Sequence, residues 1–411
     1  MTPIVNRKAS IPLALTVLIT LISAQSTADQ DEKYLIDRFP ETYMTVPEII
    51  WHNHYPIEEH KVTTDDGYVL TLHRIPSGRI WSTAKKEVVF LQHGLLCSSA
   101  AFVLNGPSKS LAFVLADQGY DVWLGNSRGN TYSKGHVPPM TSDWKEYWQF
   151  SFDEMAHFDL PACIDYILGQ TNQSGIHYIG HSQGTMIGFI EFGRRPELGK
   201  KIKSFIALAP VTTVGHVKGL AKIMYYSAPY LTFMYKYLGG TEFLPTSWLM
   251  RFIADSVCAI KGIQKLCGNM IYLLNGFSMS NFNMTRLPIY LAHTPAGASI
   301  KDIVHFAQLM RSGEFRAFDW GKHGNIRRYG QATPPDYHPE KVQVPTALFT
   351  GEQDWLADKK DVEHVKSILP NIIYTQNIES FNHLDFMWGM GADEKLFPPI
   401  LKILQQYSDT Q

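Results

Sequence analysis

The sequence predicts an α/β fold: a mostly parallel central sheet, covered by helices, with a helical insertion over it. Two observations carry this. Short apolar runs of strand length alternate with longer amphipathic segments, the pattern of a sheet buried on both faces. The alternation then stops across about 212–340, where Tyr, Phe, Met and Leu crowd into segments of helical length, as at 223–226 and 230–235.

Composition bounds the reading before any motif is considered. A chain of 411 residues accommodates one large α/β unit with an insertion. Hydrophobic residues make up 45% and charged residues 18%, which is ordinary globular usage. Thirty-seven basic residues face 38 acidic ones, a net charge of −1, so no global field exists for gripping nucleic acid. The four cysteines are too few for a disulfide scaffold.

The elements follow in chain order. Residues 1–28 read as a secretory signal peptide: Arg7 and Lys8, an uncharged apolar run from Ile11 to Ile22, then small residues ending at Ala28. Cleavage is expected after Ala24 or Ala28, and the mature chain then meets an oxidising compartment. There Cys258 and Cys267 are near enough in sequence to pair, whereas Cys97 and Cys163 read as free and buried. The triplets at Asn172 and Asn283 become candidate glycosylation sites. Residues 29–80 form an N-terminal segment and an edge hairpin, turning at Asp66-Gly67. Residues 81–211 form the first part of the core. Its strands at 87–91, 120–124, 176–179 and 205–208 end at His93-Gly94, Gly125-Asn126, Gly180 and Pro210, and a helix is expected over 155–168. Residues 212–340 form the helical cap. Residues 341–411 complete the core with strands at 346–349 and 372–374 and a helix near 360–368.

The chemistry centres on Gly180-His181-Ser182-Gln183-Gly184. A G-x-S-x-G motif alone is weak. Here it directly follows a buried strand and directly precedes a helical pattern, which is the context of a nucleophile elbow. Ser182 then stands at the carboxyl end of the sheet, where open α/β sheets place their sites. A serine hydroxyl needs a base, and the base needs an orienting acid. In the chain order Ser, acid, His, the candidates are Asp354, after the strand at 346–349, and His383, after the strand at 372–374. Glu352, Asp358 and His364 are rivals, but His364 falls inside a helical pattern and reads as a surface residue. A developing oxyanion needs fixed donors, and the backbone N–H groups of Gln183 and Leu95 are the candidates. Asn126 to Gly129 reads as a structural turn. The chain has no phosphate-loop or zinc motif, and His52 and His54 lack a third ligand, so neither metal nor cofactor is expected.

These residues carry a family resemblance. Leu91-Gln92-His93-Gly94-Leu95-Leu96, the run from Tyr120 to Asn130, Phe150 to Met155, Gly180 to Gly184, and Asn382-His383-Leu384-Asp385-Phe386 resemble the gastric and lysosomal acid lipases of animals, from about residue 44 onward. The resemblance implies an α/β-hydrolase core with a helical cap and lid, and hydrolysis of triacylglycerols or sterol esters. It places the triad on Ser182, Asp354 and His383, the oxyanion amides on Leu95 and Gln183, and a disulfide on Cys258 and Cys267. An unpaired cap cysteine of the gastric members matches Asn275. The implied partner is a neutral lipid at an oil–water or membrane interface, without a colipase, and the implied location is extracellular or lysosomal. An intact serine, acid and histidine argue against a non-catalytic lipid-binding relative.

Overall fold

The apolar runs of the sequence become neighbouring strands of one mixed sheet. The computed structural model describes residues 39–80, 86–239, 241–245, 275–276 and 281–408. The leader expected at 1–28 and the Cys258/Cys267 pair lie outside the described residues.

Among the described residues the sheet is built from β1 (Glu58–Thr63), β2 (Tyr68–Ile75), β3 (Val88–Gln92), β4 (Asp121–Leu124), β5 (Gly135–His136), β6 (Ile176–His181), β7 (Ile202–Leu208), β10 (Thr346–Gly351) and β11 (Ile372–Ile378). Their order is β1-β2-β4-β3-β6-β7-β10-β11, with β5 on β2. All pairs from β4 to β11 are parallel, and β1 and β2 form the expected antiparallel hairpin at one edge. Burial follows position. Strands β3, β4 and β6 are buried at every residue, whereas the edge strand β1 alternates and β11 keeps only Ile378 buried. A central parallel strand is covered on both faces, so it reads as a continuous apolar run.

The strand order reverses beside β3. The chain goes from β3 outward to β4, then returns to place β6 on the other side. That reversal opens a crevice at the carboxyl ends of β3 and β6. The loop holding Leu95 and the turn holding Ser182 follow these two strands, so the topology brings them together.

Helices cover the sheet: α1 (Val46–His52), α2 (Leu111–Asp117), α3 (Leu160–Thr171) and α4 (Gln183–Arg194), then α9 (Lys359–Ile368) and α10 (Phe397–Gln406) beyond the insertion. The helix expected from 155 differs in its first turn. Residues Met155–Asp159 form a wider π turn, and Leu160 N–H bonds to Met155 O. Pro161 explains it: proline has no N–H for the normal bond, and its ring crowds the carbonyl four residues back. The insertion contributes α5 (Lys222–Leu238), α6 (Leu287–His293), α7 (Ile300–Ser312) and α8 (Lys322–Tyr329). Tyr235, Val304 and Phe318 form a small core beneath α5. The segment is not wholly helical, because β8 (Glu242–Phe243) pairs antiparallel with β9 (Ala298–Ser299). Cys97 and Cys163 are free and buried.

The turn at 126–130 is built around a buried cation. Arg128 is 1% exposed. Its guanidinium holds Asp159 Oδ1 at 2.6 Å and Asp66 Oδ2 at 2.6 Å, and lies 3.9 Å from the Tyr68 ring centroid. Paired on both sides, a buried charge of this kind is tolerated. It ties the β1–β2 turn and the start of α3 to the turn after β4.

Candidate active site

Ser182 lies between the last residue of β6 and the first of α4, at φ +54° and ψ −119°. Its N–H continues the sheet by donating to Leu208 O at 3.0 Å, and its carbonyl starts the helix by accepting from Thr185 N–H at 2.8 Å. One residue thus serves strand and helix at once, which forces the sharp turn. The flanking glycines are required by close approach. A Cβ on Gly180 would sit 2.7 Å from the Gly184 carbonyl carbon, and one on Gly184 would sit 2.4 Å from Gln92 O.

Asp354 and His383 come from the loops after β10 and β11. The structure brings both to Ser182. His383 Nε2 accepts a hydrogen bond from Ser182 Oγ at 2.7 Å. His383 Nδ1–H donates to Asp354 Oδ2 at 2.9 Å. Asp354 and His383 are each 3% exposed. The Asp354 carboxylate is held in turn by backbone donors, with Oδ1 accepting from Leu356 N–H at 2.9 Å and Ala357 N–H at 2.8 Å. The rivals are elsewhere: Glu352 pairs with Lys359, Asp358 caps α9, and His364 is exposed.

Gln183 is the first residue of α4, so its N–H has no partner within the helix. Across from it, Gln92 pairs with Gly180 in the β3–β6 ladder. A Cβ on Gly94 would lie 2.9 Å from Ser182 Cβ, so the loop carrying Leu95 runs against the serine. His93 holds that loop. Its Nδ1–H donates to Gly94 O at 2.8 Å, and its Nε2 accepts from Ser127 N–H at 3.1 Å. Burial pushes the His93 imidazole down to about 4, so it stays neutral and keeps this tautomer in mildly acidic solution.

Three contacts were not foreseen in the sequence. His181 Nε2–H donates to His383 O at 2.9 Å, and the two rings lie 5.0 Å apart. Burial pushes His181 down to about 3, with the neighbouring His383 adding to the shift. The Asn275 carbonyl accepts from both Trp355 N–H and His383 N–H at 3.4 Å, linking the acid loop to the histidine loop. Gln183 Nε2–H donates to Asp302 Oδ2 at 2.6 Å, reaching into the insertion. The sequence carries a signal for His181 and Gln183 as neighbours of the serine, and none for their partners. Backbone carbonyls and contacts across 119 positions of chain leave no pattern in a single sequence.

The chain matches two family models: the partial alpha/beta-hydrolase lipase region over residues 46–106, and the alpha/beta hydrolase fold over residues 87–390. It is 45% identical to gastric triacylglycerol lipase of Rattus norvegicus over 372 residues, 89% of this chain and 93% of that one. It is 43% identical to lysosomal acid lipase/cholesteryl ester hydrolase of Homo sapiens over 399 residues, 96% of this chain and 98% of that one. The chain belongs to the acid lipase family of α/β hydrolases. Among solved structures, a bacterial membrane phospholipase A superposes with a TM-score of 0.51 at 15% identity, covering 97% of this chain and 99% of that one. That likeness concerns the fold alone. Within the acid lipase family frame, the elbow follows β6, and the two supporting loops follow β10 and β11.

Proposed function

We propose that this acid lipase family member is a serine lipase that hydrolyses carboxylic ester bonds of neutral lipids through an acyl-enzyme on Ser182. The observation that carries the reading is the unbroken hydrogen-bond series from Ser182 Oγ through His383 to Asp354 at a strand–helix elbow. In this reading His383 Nε2 takes the hydroxyl proton as Oγ attacks the acyl carbon. The negative charge that forms on the carbonyl oxygen is met by the N–H groups of Gln183 and Leu95. The imidazolium then gives its proton to the departing alcohol, and the acyl group stays on Ser182. Water repeats the sequence: His383 removes its proton, the acyl–oxygen bond to Ser182 breaks, and the serine recovers a proton.

The substrate class rests on the relatives, named for triacylglycerols and cholesteryl esters. A surface feature agrees with a lipid partner. Helix α5 exposes Ile223, Tyr226, Tyr230, Phe233 and Tyr237, between 54% and 74% each. Their three- and four-residue spacing puts them on one stripe, and the helix contains no acidic residue. Tyrosine-rich amphipathic faces fit the boundary between head groups and acyl chains. No described helix is long and apolar enough to cross a membrane. Secretion, with lysosomal delivery as the second route, belongs to the same reading. So do a Cys258–Cys267 disulfide and glycans at Asn172, which is exposed, and at Asn283, which is partly buried. The human lysosomal relative gives the second substrate reading, a sterol ester hydrolase with the same triad.

Two assays test this. An organophosphonate probe should form an adduct on Ser182 and none in Ser182→Ala; an unlabelled wild-type serine would overturn the reading. Triolein, cholesteryl oleate and a short-chain ester should then be compared from about pH 4 to about pH 8. Triolein hydrolysis is expected to exceed the other two on emulsions. Dominant cholesteryl oleate turnover would select the second substrate reading.

A further inference from the structure

The inner face of the insertion reaches the residue beside the nucleophile through a single buried carboxylate. Helix α7 begins at Ile300, and Ser299 caps it by accepting from Asp302 N–H at 3.0 Å. Its first two turns are bolted to the segment before α3. Lys301 Nζ donates to Glu154 Oε1 at 2.6 Å, and the His305 ring stacks on Phe152 at 3.9 Å. Asp302 belongs to this bolt and extends it. Oδ1 accepts from Phe152 N–H at 2.8 Å, while Oδ2 accepts from the Gln183 side-chain amide at 2.6 Å. Asp302 is fully buried and Gln183 is 2% exposed, so no water competes for either bond.

We infer that Asp302 is a positioning residue for the oxyanion site, fixing Gln183 by its side chain so that its backbone N–H stays aimed at the acyl oxygen. This rests on the serine-lipase reading and deepens it. Gln183 is the first residue of its helix, where the N–H is unbonded and the peptide plane has least support. An oxyanion donor works by being held in place beforehand, and small errors of aim are expensive. A side chain anchored on a separate, packed helix supplies that restraint.

The anchor has a built-in tolerance. Burial pushes the Asp302 carboxyl up to about 7, with nearby Glu154 and Asp153 adding to the rise while the bonds from Gln183 and Phe152 oppose it. Lys301 and His305 flank it on its own helix, and burial keeps His305 neutral, its imidazole pushed down to about 3. A protonated carboxyl offers one oxygen as acceptor and one O–H as donor. The Gln183 amide meets it by turning over, so that Oε1 accepts the O–H while Phe152 N–H keeps the carbonyl oxygen. Asparagine at 302 has the same donor–acceptor pair at every pH.

The test compares wild type, Asp302→Ala and Asp302→Asn on a soluble short-chain ester, with kcat normalised to serine titrated by the phosphonate. Asp302→Ala is expected to lower kcat per labelled serine about tenfold or more with KM within about twofold. Asp302→Asn should restore kcat to within about threefold, because its amide offers the same donor–acceptor pair. A kcat per labelled serine unchanged in Asp302→Ala overturns the inference. If Asp302→Ala does not fold, Gln183→Met, which keeps the backbone N–H and removes the anchored amide, takes its place, and an unchanged kcat per labelled serine overturns it. Failure of wild type to label at all would sink the lipase reading instead.

Discussion

Ser182 shows how a single residue stores the cost of a sharp strand-to-helix turn. A positive φ in a non-glycine residue strains the backbone by about 1–3 kcal/mol, and the packed β6–α4 junction holds it there. Ser182→Gly should therefore be about 1 kcal/mol more stable than Ser182→Ala, since both lose the hydroxyl and only glycine relaxes the backbone. Chemical denaturation of the two variants measures this, and equal midpoints would show that the turn is unstrained. His181 makes a second residue-level case. Its Nε2–H satisfies the buried carbonyl of His383. Phenylalanine at 181 leaves that carbonyl without its donor and should cost about 1–3 kcal/mol. Glutamine keeps an N–H donor without a titrating ring. The folded His181 value of about 3 lies below its unfolded value, so the stabilisation from staying neutral is present above about 6.5 and is lost as pH falls. Unfolding free energies should thus drop faster for wild type than for His181→Gln between about pH 6.5 and pH 4, and parallel slopes would remove the proposed protonation cost.

At the scale of elements, the strands were legible because each central one is a continuous apolar run ending in a turn residue. Phe90 and Leu91 before His93-Gly94, and Tyr178 and Ile179 before Gly180, are fully buried. Helix starts were less legible. Pro161 is a permitted second position of α3, yet it widened the turn before it, a local conflict that periodicity does not register. The β8–β9 pair was missed because two-residue strands leave no alternation to read. Helix α5 carries the element-scale prediction. Its inner side packs through Tyr235 on Val304 and Phe318, while its outer aromatic stripe is exposed to solvent, with Phe233 and Tyr237 packed on each other. Replacing Tyr226, Phe233 and Tyr237 together with serine should weaken adsorption to emulsified triolein about tenfold or more. Turnover of a soluble ester should remain at the wild-type level, because the stripe includes none of Ser182, Asp354 and His383. Co-sedimentation with droplets reads the first quantity, and undiminished adsorption would deny the stripe a role at the interface.

Across the whole molecule, the meeting of Ser182, Asp354 and His383 was readable because loop positions after strands are encoded locally, and the sheet then brings distant loops together. What supports those loops was not readable. Arg128 looked like part of a plain turn, yet it joins Asp66 and Asp159 in the interior and thereby steadies the turn that holds His93. Arg128→Met should cost about 3–5 kcal/mol, since it leaves two carboxylates facing each other with no counter-charge. A melting temperature equal to wild type would show the pair to be dispensable. The same interior sets two opposing pH trends. Burial holds His73 and His93 down to about 4 and His181 and His305 down to about 3, so the folded state loses stability as pH falls below their unfolded value. Burial also lifts Asp153 and Asp302 to about 7, so the folded state binds their protons more tightly than the unfolded chain. Their contribution is complete in acid, below about 3.8, and is lost as pH rises through about 7. The two carboxyls therefore offset part of the histidine penalty between about pH 4 and pH 6.5. An Asp153→Asn/Asp302→Asn double variant removes that offset while keeping both shapes. Relative to wild type, its melting temperature should climb steadily from about pH 4 to about pH 7, since wild type alone must bury two charges at the upper end. A difference that stays constant across this range would mean that the two carboxyls are ionised throughout, and the acid-side support assigned to them would vanish.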